Sequence, residues 1–314
     1  MIDSLLPSIL QHENISRITD SGILVRDRRK LPFCTEDILC RDYKEASKAI
    51  KEMVTQGGGP LEVALNTLLY TWRHDRDSID DAVESLSLSR PTNTTMKRTL
   101  LGVMKAYRET GDMEGIIKAA FDHYDSLYDS ISDIGETLIE DGCGVLTTCF
   151  PEHTFMLSLI KAKENGKRVT VYVPETRPYL QGAHLTEPCL REKGIDCYLI
   201  TDGMPAHFMR EGRIQLYMTA SDLALKDRTV VNKTGTLANA IAAHYFGIPY
   251  YAFSLSLDET KTREDIVIEY RDSDSVKSIG GTVIASQSSK ALYPCFDIIE
   301  PELVTGIVTE GGIL

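Results

Sequence analysis

The sequence has no apolar stretch of about 18 residues, so it offers no membrane-spanning helix. Its seven cysteines, Cys34, Cys40, Cys143, Cys149, Cys189, Cys197 and Cys295, form no CxxC pair, which leaves a structural zinc site without support. The seven histidines show no HExxH-type spacing, and no GxGxxG turn follows a strand-like run. Neither a metal nor a nicotinamide cofactor is therefore indicated. There is no basic surplus: 34 Lys and Arg stand against 46 Asp and Glu, for a net charge of −12. An acidic surface repels phosphate backbones, so nucleic acid is a poor partner. A few local Arg and Lys would still hold a small anion. The opening stretch, Met1 to Gln11, carries Asp3 and lacks a basic region, so it makes a poor signal peptide. An odd number of scattered cysteines fits free thiols in a reducing compartment. The expected location is cytoplasmic, with no membrane partner.

What is present suits a folded protein. The chain has 314 residues, 42% apolar and 25% charged, enough for one large domain or two ordinary ones. Residues 14–41 read as short strands and turns, with Ser21-Gly22 between two apolar runs as a hairpin. From Tyr43 to Glu140 the spacing turns helical, with Ala46, Ile50, Met53 and Val54 on one face. Gly57-Gly58-Gly59-Pro60 breaks the chain before a helix through Val63, Leu65, Leu68 and Leu69. Further helical segments fall near residues 79–88, 93–109 and 113–141.

After Gly142 the pattern alternates. Strand-like runs at Gly144–Thr147, Val169–Val173, Cys197–Ile200, Gln215–Thr219 and Tyr250–Phe253 are separated by helical stretches at Thr154–Lys163, Leu180–Glu192, Pro205–Glu211 and Thr236–Phe246. Repeated strand and helix predict a parallel sheet with right-handed crossovers. The expected fold is α/β: a mostly helical N-terminal domain over 1–141, with a short strand region, and a Rossmann-like domain over 142–314. No Pro- or Gly-rich linker marks the boundary.

In such sheets ligands bind beyond the carboxyl ends of the strands. The groups there are Thr147, Thr148 and Cys149; Glu175, Thr176 and Arg177; Asp202; and Ser221 and Asp222. A thiol at Cys149, facing helix N-termini, would have a lowered pKa and act as acid or base; the competing account is a small buried hydrophobe. Asp222 reads either as a functional carboxylate or as a turn cap. Arg177 suits a phosphate fork or a surface salt bridge. Asn232-Lys233-Thr234-Gly235-Thr236, opening a helix, suits an anion at a helix N-terminus, or an N-cap with a solvated lysine. Gly57-Gly58-Gly59 would cradle a phosphate with backbone amides, or simply join two helices.

Several runs together resemble a known family. Pro174-Glu175-Thr176-Arg177-Pro178-Tyr179-Leu180-Gln181-Gly182-Ala183-His184-Leu185-Thr186 is similar to a signature of the methylthioribose-1-phosphate isomerases. Ribose-1,5-bisphosphate isomerases and regulatory subunits of the exchange factor for translation initiation factor 2 share it. Asn232 to Thr236 and Pro301 to Glu310 resemble the same set, while Asp27-Arg28-Arg29-Lys30-Leu31-Pro32 and Arg90-Pro91-Thr92 resemble the isomerase branch. The resemblance runs from about residue 20 to the end. It implies two domains, a homodimer, a catalytic Cys149 within Leu146-Thr147-Thr148-Cys149, and a catalytic Asp222. It places phosphate and sugar contacts on Gln56, Gly57, Gly58, Arg90, Gln181, Asn232 and Lys233. The implied reaction converts a pentose 1-phosphate, of 5-methylthioribose or 5-deoxyribose type, to the ketose 1-phosphate without a cofactor or metal. The alternative is a non-catalytic regulatory protein that binds a sugar phosphate or nucleotide, like the exchange-factor subunits. A bisphosphate isomerase would need a second phosphate site, and none is evident. The sequence departs from the family pattern at Gln56, where an arginine is usual; at Thr148 and Phe150, where His and Asn flank the cysteine; and at Ala220-Ser221-Asp222-Leu223, where Gly-Ala-Asp-Arg is usual. Altered substrate or reduced activity is the expected consequence.

Overall fold

The computed structural model describes residues 2–90 and 94–314; Pro91 and Thr92 of the Arg90-Pro91-Thr92 run lie outside them. The chain forms two compact units, Met1–Asp129 and Ser130–Leu314.

In the first unit, helix α1 (His12–Ile15) leads into strands β1 (Ser16–Thr19), β2 (Gly22–Arg26) and β3 (Asp37–Cys40), an antiparallel sheet in that order. The Ser21-Gly22 hairpin is present, with Thr19 opposite Gly22. Helix α2 (Tyr43–Lys51) is capped by Asp42, whose carboxylate accepts from the Lys44 and Glu45 amides. It ends before Met53 and Val54, which the sequence spacing had placed on its face; Met53 takes a left-handed φ of 61° and turns the chain out of the helix. Helices α3 (Gly59–His74), α4 (Ile79–Ser89), α5 (Thr94–Thr110) and α6 (Met113–Thr137) follow. Ile23, Val25, Ile50, Leu65, Leu68, Leu86 and Leu100 form the core between sheet and helices. Within it His12 is clamped: Nδ1 lies 2.9 Å from Glu62 Oε2 and Nε2 lies 3.1 Å from Asp125 Oδ1. Burial alone would lower its pKa; the two carboxylates outweigh burial and raise it to about 10.

The division between the units falls inside α6, a continuous helix. A helical connection needs no Pro- or Gly-rich composition, which is why no linker marks it in the sequence.

In the second unit, β4 (Cys143–Leu146), α7 (Glu152–Glu164), β5 (Val169–Pro174), a π-turn over Gly182–Thr186, α8 (Glu187–Glu192), β6 (Asp196–Ile200), α9 (Pro205–Arg210) and β7 (Leu216–Ala220) come first. After them come β8 (Leu223–Ala224), β9 (Val230–Lys233), α10 (Thr236–Tyr245), β10 (Tyr250–Phe253), a small hairpin of β11 (Ser278–Ile279) and β12 (Thr282–Val283), β13 (Phe296–Ile299), β14 (Gly306–Thr309) and β15 (Gly312–Ile313). The main sheet has seven strands in the order β15-β14-β10-β7-β4-β5-β6, parallel except for edge strand β15. This is the mixed α/β architecture that the alternating pattern predicts. Strand β4 is buried throughout, as its unbroken apolar run requires at the centre of a parallel sheet. The chain runs from β4 outward through β5 to β6, then returns to the other side of β4 for β7, β10 and β14. The order therefore reverses between β4 and β7, which makes the carboxyl ends of these two strands the switch point where such sheets bind ligands.

A second, antiparallel sheet, β8-β9-β13, is absent from the sequence reading. Val230–Lys233 forms its middle strand, so Asn232 and Lys233 end a strand and do not open a helix. No helix among the described residues is long and apolar enough to cross a membrane.

Candidate active site

Cys149 follows β4 and Asp222 follows β7, one on each side of the switch point. Cys149 sits at φ 66°, a left-handed conformation that costs a side-chain-bearing residue of order 1 kcal/mol or more and persists only when its surroundings impose it. Two threonines impose it. The Cys149 amide donates to Thr176 Oγ1 at 3.1 Å, and Thr186 Oγ1 donates to the Cys149 carbonyl at 2.6 Å. Both belong to the Pro174–Thr186 run. That run is itself anchored: Asp202 accepts from the Thr176 and Arg177 amides at 2.8 and 2.7 Å. Gly182 packs so closely that a Cβ there would lie 1.8 Å from the Pro174 carbonyl oxygen. The signature is thus a clasp around the cysteine backbone. Arg177 spends its Nη2 on the carbonyls of Val276 and Ser278, both at 3.0 Å, while its buried Nε has no hydrogen-bond partner among the described residues.

Behind Cys149 lies a buried hydroxyl network. Thr148 Oγ1 is 2.7 Å from the Tyr217 hydroxyl and receives Asn239 Nδ2 at 3.1 Å, while the Tyr217 ring stacks on Tyr250 with centroids 4.4 Å apart. Here Thr148, in place of histidine, points into the core. Phe150 is buried as well.

Strand β9 delivers the cation. Lys233 is only 4% exposed, and its Nζ donates to the Tyr293 hydroxyl at 2.6 Å and approaches Cys295 Sγ at 3.9 Å. The rings of Tyr179 and Tyr293 lie 5.2 and 5.0 Å from Nζ. A solvated lysine, one of the sequence-level readings, is not what the structure contains. The helix N-terminus beside it is not open to an outside anion either. The Asp297 carboxylate accepts from the Gly235 and Leu237 amides at 2.8 and 3.0 Å and so fills the first turn of α10. Asn232, also buried, donates to Thr236 Oγ1 at 3.1 Å.

The electrostatics follow from this packing. Burial pushes the Cys149 thiol up to about 12; Lys233 pulls it down, and Asp222 pushes it further up. The sequence expectation of a lowered pKa fails because desolvation of the partly accessible thiol outweighs the single ammonium. Cys149 is a neutral thiol at neutral pH. Asp222 itself is exposed, held by its amide donating to the Val231 carbonyl at 2.8 Å. Burial likewise keeps the Tyr293 hydroxyl protonated. Cys149, Asp222 and Lys233 therefore share one end of the second unit, with Asn232 adjacent.

Gln181 opens the π-turn; its side chain is buried and its Oε1 has no hydrogen-bond partner among the described residues. In the first unit, Gln56 is buried and its Oε1 is equally unpartnered, and Gly57 takes φ 63° before Gly58 caps α3. At Gly59 a Cβ would lie 2.1 Å from Thr55 Oγ1, so the third glycine is a packing requirement. Buried Arg28 donates through Nη1 to the Gln56 carbonyl at 2.6 Å and fixes the loop from behind. Arg90 caps the end of α4, with Nη1 buried and without a partner among the described residues. Buried polar atoms rarely lack partners. Gln56, Arg90 and Gln181 each carry one. No group of three or more His, Cys, Asp or Glu among the described residues is arranged to hold a metal ion.

The sequence marks Thr176 as a polar group beyond a strand end, but it does not mark Tyr179, Thr186, Tyr293 or Cys295 as site residues. Tyr179 and Thr186 lie inside the Pro174–Thr186 run. Tyr293 and Cys295 reach the site only through the antiparallel pairing of β13 with β9, which places Phe296 opposite Lys233.

Residues 45–314 match the pattern of the Initiation factor 2 subunit family. The chain is similar to the methylthioribose-1-phosphate isomerase of Thermotoga maritima, 34% identical over 318 residues that cover 94% of this chain and 92% of the relative. Among solved structures it resembles 5-methylthioribose 1-phosphate isomerase from Pyrococcus horikoshii OT3, with a TM-score of 0.84 at 24% identity over 96% of this chain and 92% of that one. It also resembles the delta subunit of translation initiation factor eIF-2B from A. fulgidus, with a TM-score of 0.78 at 28% identity over 98% and 96% of the two chains.

Proposed function

The chain belongs to the Initiation factor 2 subunit family, and within it we propose that this protein is an aldose–ketose isomerase that converts 5-methylthioribose 1-phosphate to the corresponding ketose 1-phosphate. The observation that carries the reading is Cys149, strained and clasped at the sheet's switch point, with the buried ammonium of Lys233 and the carboxylate of Asp222 acting on it. A protein that only binds a ligand has no need of that thiol.

A neutral thiol is a poor base for a carbon-bound proton, which favours hydride movement. Asp222, in its protonated form, gives its proton to the ring oxygen as the bond between C1 and that oxygen breaks and the electron pair passes to the oxygen. The C2–H electron pair then moves with its hydrogen to C1. The O2–H pair becomes the C2=O bond, and the proton from O2 returns to the Asp222 carboxylate. Cys149 assists at the C1–C2 pair as a thiol. Proton placement of this kind contributes about 10²–10⁴-fold. Lys233, Asn232 and Gln181 are the phosphate and sugar contacts proposed from the second unit; Gln56, Gly57, Gly58 and Arg90 are those proposed from the first. The unpartnered atoms of Gln181, Gln56 and Arg90 support that assignment, since each awaits a hydrogen-bonding group. The reading extends to a cytoplasmic homodimer working without cofactor. Incubation of the purified chain with 5-methylthioribose 1-phosphate and 5-deoxyribose 1-phosphate, with ketose signals followed by NMR, tests it; no product from any pentose 1-phosphate would remove the enzyme reading.

A further inference from the structure

A buried ammonium ordinarily needs a carboxylate, because its desolvation is otherwise uncompensated. Among the described residues Lys233 makes no ion pair. The groups in contact with it are neutral: the Tyr293 hydroxyl at 2.6 Å, Cys295 Sγ at 3.9 Å, and the faces of Tyr179 and Tyr293 at 5.2 and 5.0 Å, while the Asp222 carboxylate acts at longer range on Cys149 and Cys295. The two rings meet edge to face, with centroids 5.6 Å apart and planes at 84°, so each braces the other. Arg271 lies 5.9 Å from the Tyr179 ring and is paired with Glu269, so the second cation of this neighbourhood is neutralised. Of the two cations, Lys233 is the one with no carboxylate at ion-pair distance among the described residues.

We propose that Tyr293 is the positioning residue for Lys233: its hydroxyl and ring, with Tyr179, hold the ammonium in a neutral aromatic cage that directs its unspent charge to an anionic phosphate. A carboxylate in place of Tyr293 would fix Lys233 equally well but cancel its charge. An aromatic alcohol fixes it and leaves the charge available. The Tyr293 hydroxyl accepts from Lys233 and keeps a proton of its own, a second donor at the same place. This assignment rests on the reading of Lys233 as a phosphate contact.

The test is a double-mutant cycle on the full chain, with inorganic phosphate as the probe in titration calorimetry and 5-methylthioribose 1-phosphate as the substrate. Tyr293→Phe keeps the ring and removes the hydroxyl. It is expected to weaken phosphate binding by about tenfold to a hundredfold, the usual effect of losing a hydrogen bond to a charged group, with the larger share of the catalytic loss in KM and not in kcat. In a Lys233→Met background the same substitution is expected to change phosphate affinity by less than about twofold, because the group it positions is gone. Should Tyr293→Phe not fold, Tyr293→His, which keeps a ring and a nitrogen acceptor, is expected to bind phosphate within about threefold of the unaltered protein. Unchanged phosphate affinity in Tyr293→Phe, an equal loss with and without Lys233, or a tenfold loss in a folded Tyr293→His would each overturn the assignment. Turnover is read separately: coupled phosphate binding in a protein without isomerase activity would sink the isomerase reading and leave this one standing.

Discussion

At pH 8 the thiol of Cys149 should be among the least reactive in the molecule, although it is the one assigned to catalysis. Burial holds its pKa at about 12. The thiolate fraction at pH 8 is then on the order of 10⁻⁴, against roughly a quarter for an ordinary thiol of pKa about 8.5, a ratio on the order of 10³. The assay is alkylation with iodoacetamide across pH 7–11, read peptide by peptide by mass spectrometry. The Cys149 rate should rise tenfold per pH unit without levelling through pH 10, because each unit multiplies the thiolate tenfold well below the pKa. Exposed Cys34 serves as the accessible reference. Lys233→Met should slow Cys149 further at every pH, since it removes the ammonium that draws the pKa down. A Cys149 rate that levels off below about pH 9 would show a thiolate poised as a base. The argument from desolvation, and with it the preference for hydride movement, would then be wrong.

Three further outcomes follow from the same geometry. Cys149→Ser and Asp222→Asn should each lower turnover by at least about 10²-fold with unchanged thermal melts, and near-normal turnover in either variant would take that residue out of the mechanism. His12, raised from 6.5 to about 10 by its two carboxylates, should contribute stability that is complete below pH 6.5, declines between 6.5 and 10, and is gone above; urea unfolding of the unaltered protein should show that decline and His12→Gln should not. Asp297→Asn should cost about 0.5–2 kcal/mol in urea unfolding by removing the anion at the start of α10, and a neutral result would mean the two amides find another acceptor.

The parallel strands were legible because a central strand must be apolar on both faces, and Tyr250–Phe253 falls where the sequence placed it. Ends slipped by a residue or two where a strand runs into its loop, as at β4 and β7. Val230–Lys233 was lost for a different reason. Two apolar residues followed by Asn-Lys-Thr-Gly look like a loop entering a helix; the near partner, Leu223–Ala224, is only two residues long, and the full-length one, Phe296–Ile299, lies more than sixty residues on. With β9 went the cage around Lys233, since nothing local links Lys233 to Tyr293. Cys149 shows the opposite case. Its place at a strand end was readable, but the direction of its pKa was not, because desolvation depends on what the whole unit packs around the thiol. The threonines that clasp it were in view within the Pro174–Thr186 run, but their targets are backbone groups, and backbone hydrogen bonds leave no trace in residue type.

The central claim is most directly tested by running the reaction in deuterium oxide. The purified chain is given 5-methylthioribose 1-phosphate, and the product is followed by proton and carbon NMR. The account predicts the ketose 1-phosphate, with both C1 hydrogens carried over from substrate and no deuterium at that carbon, as a shift of hydride from C2 requires. Product carrying deuterium at C1 would contradict the neutral-thiol mechanism, and a bound but unconverted substrate would contradict the assignment as an isomerase.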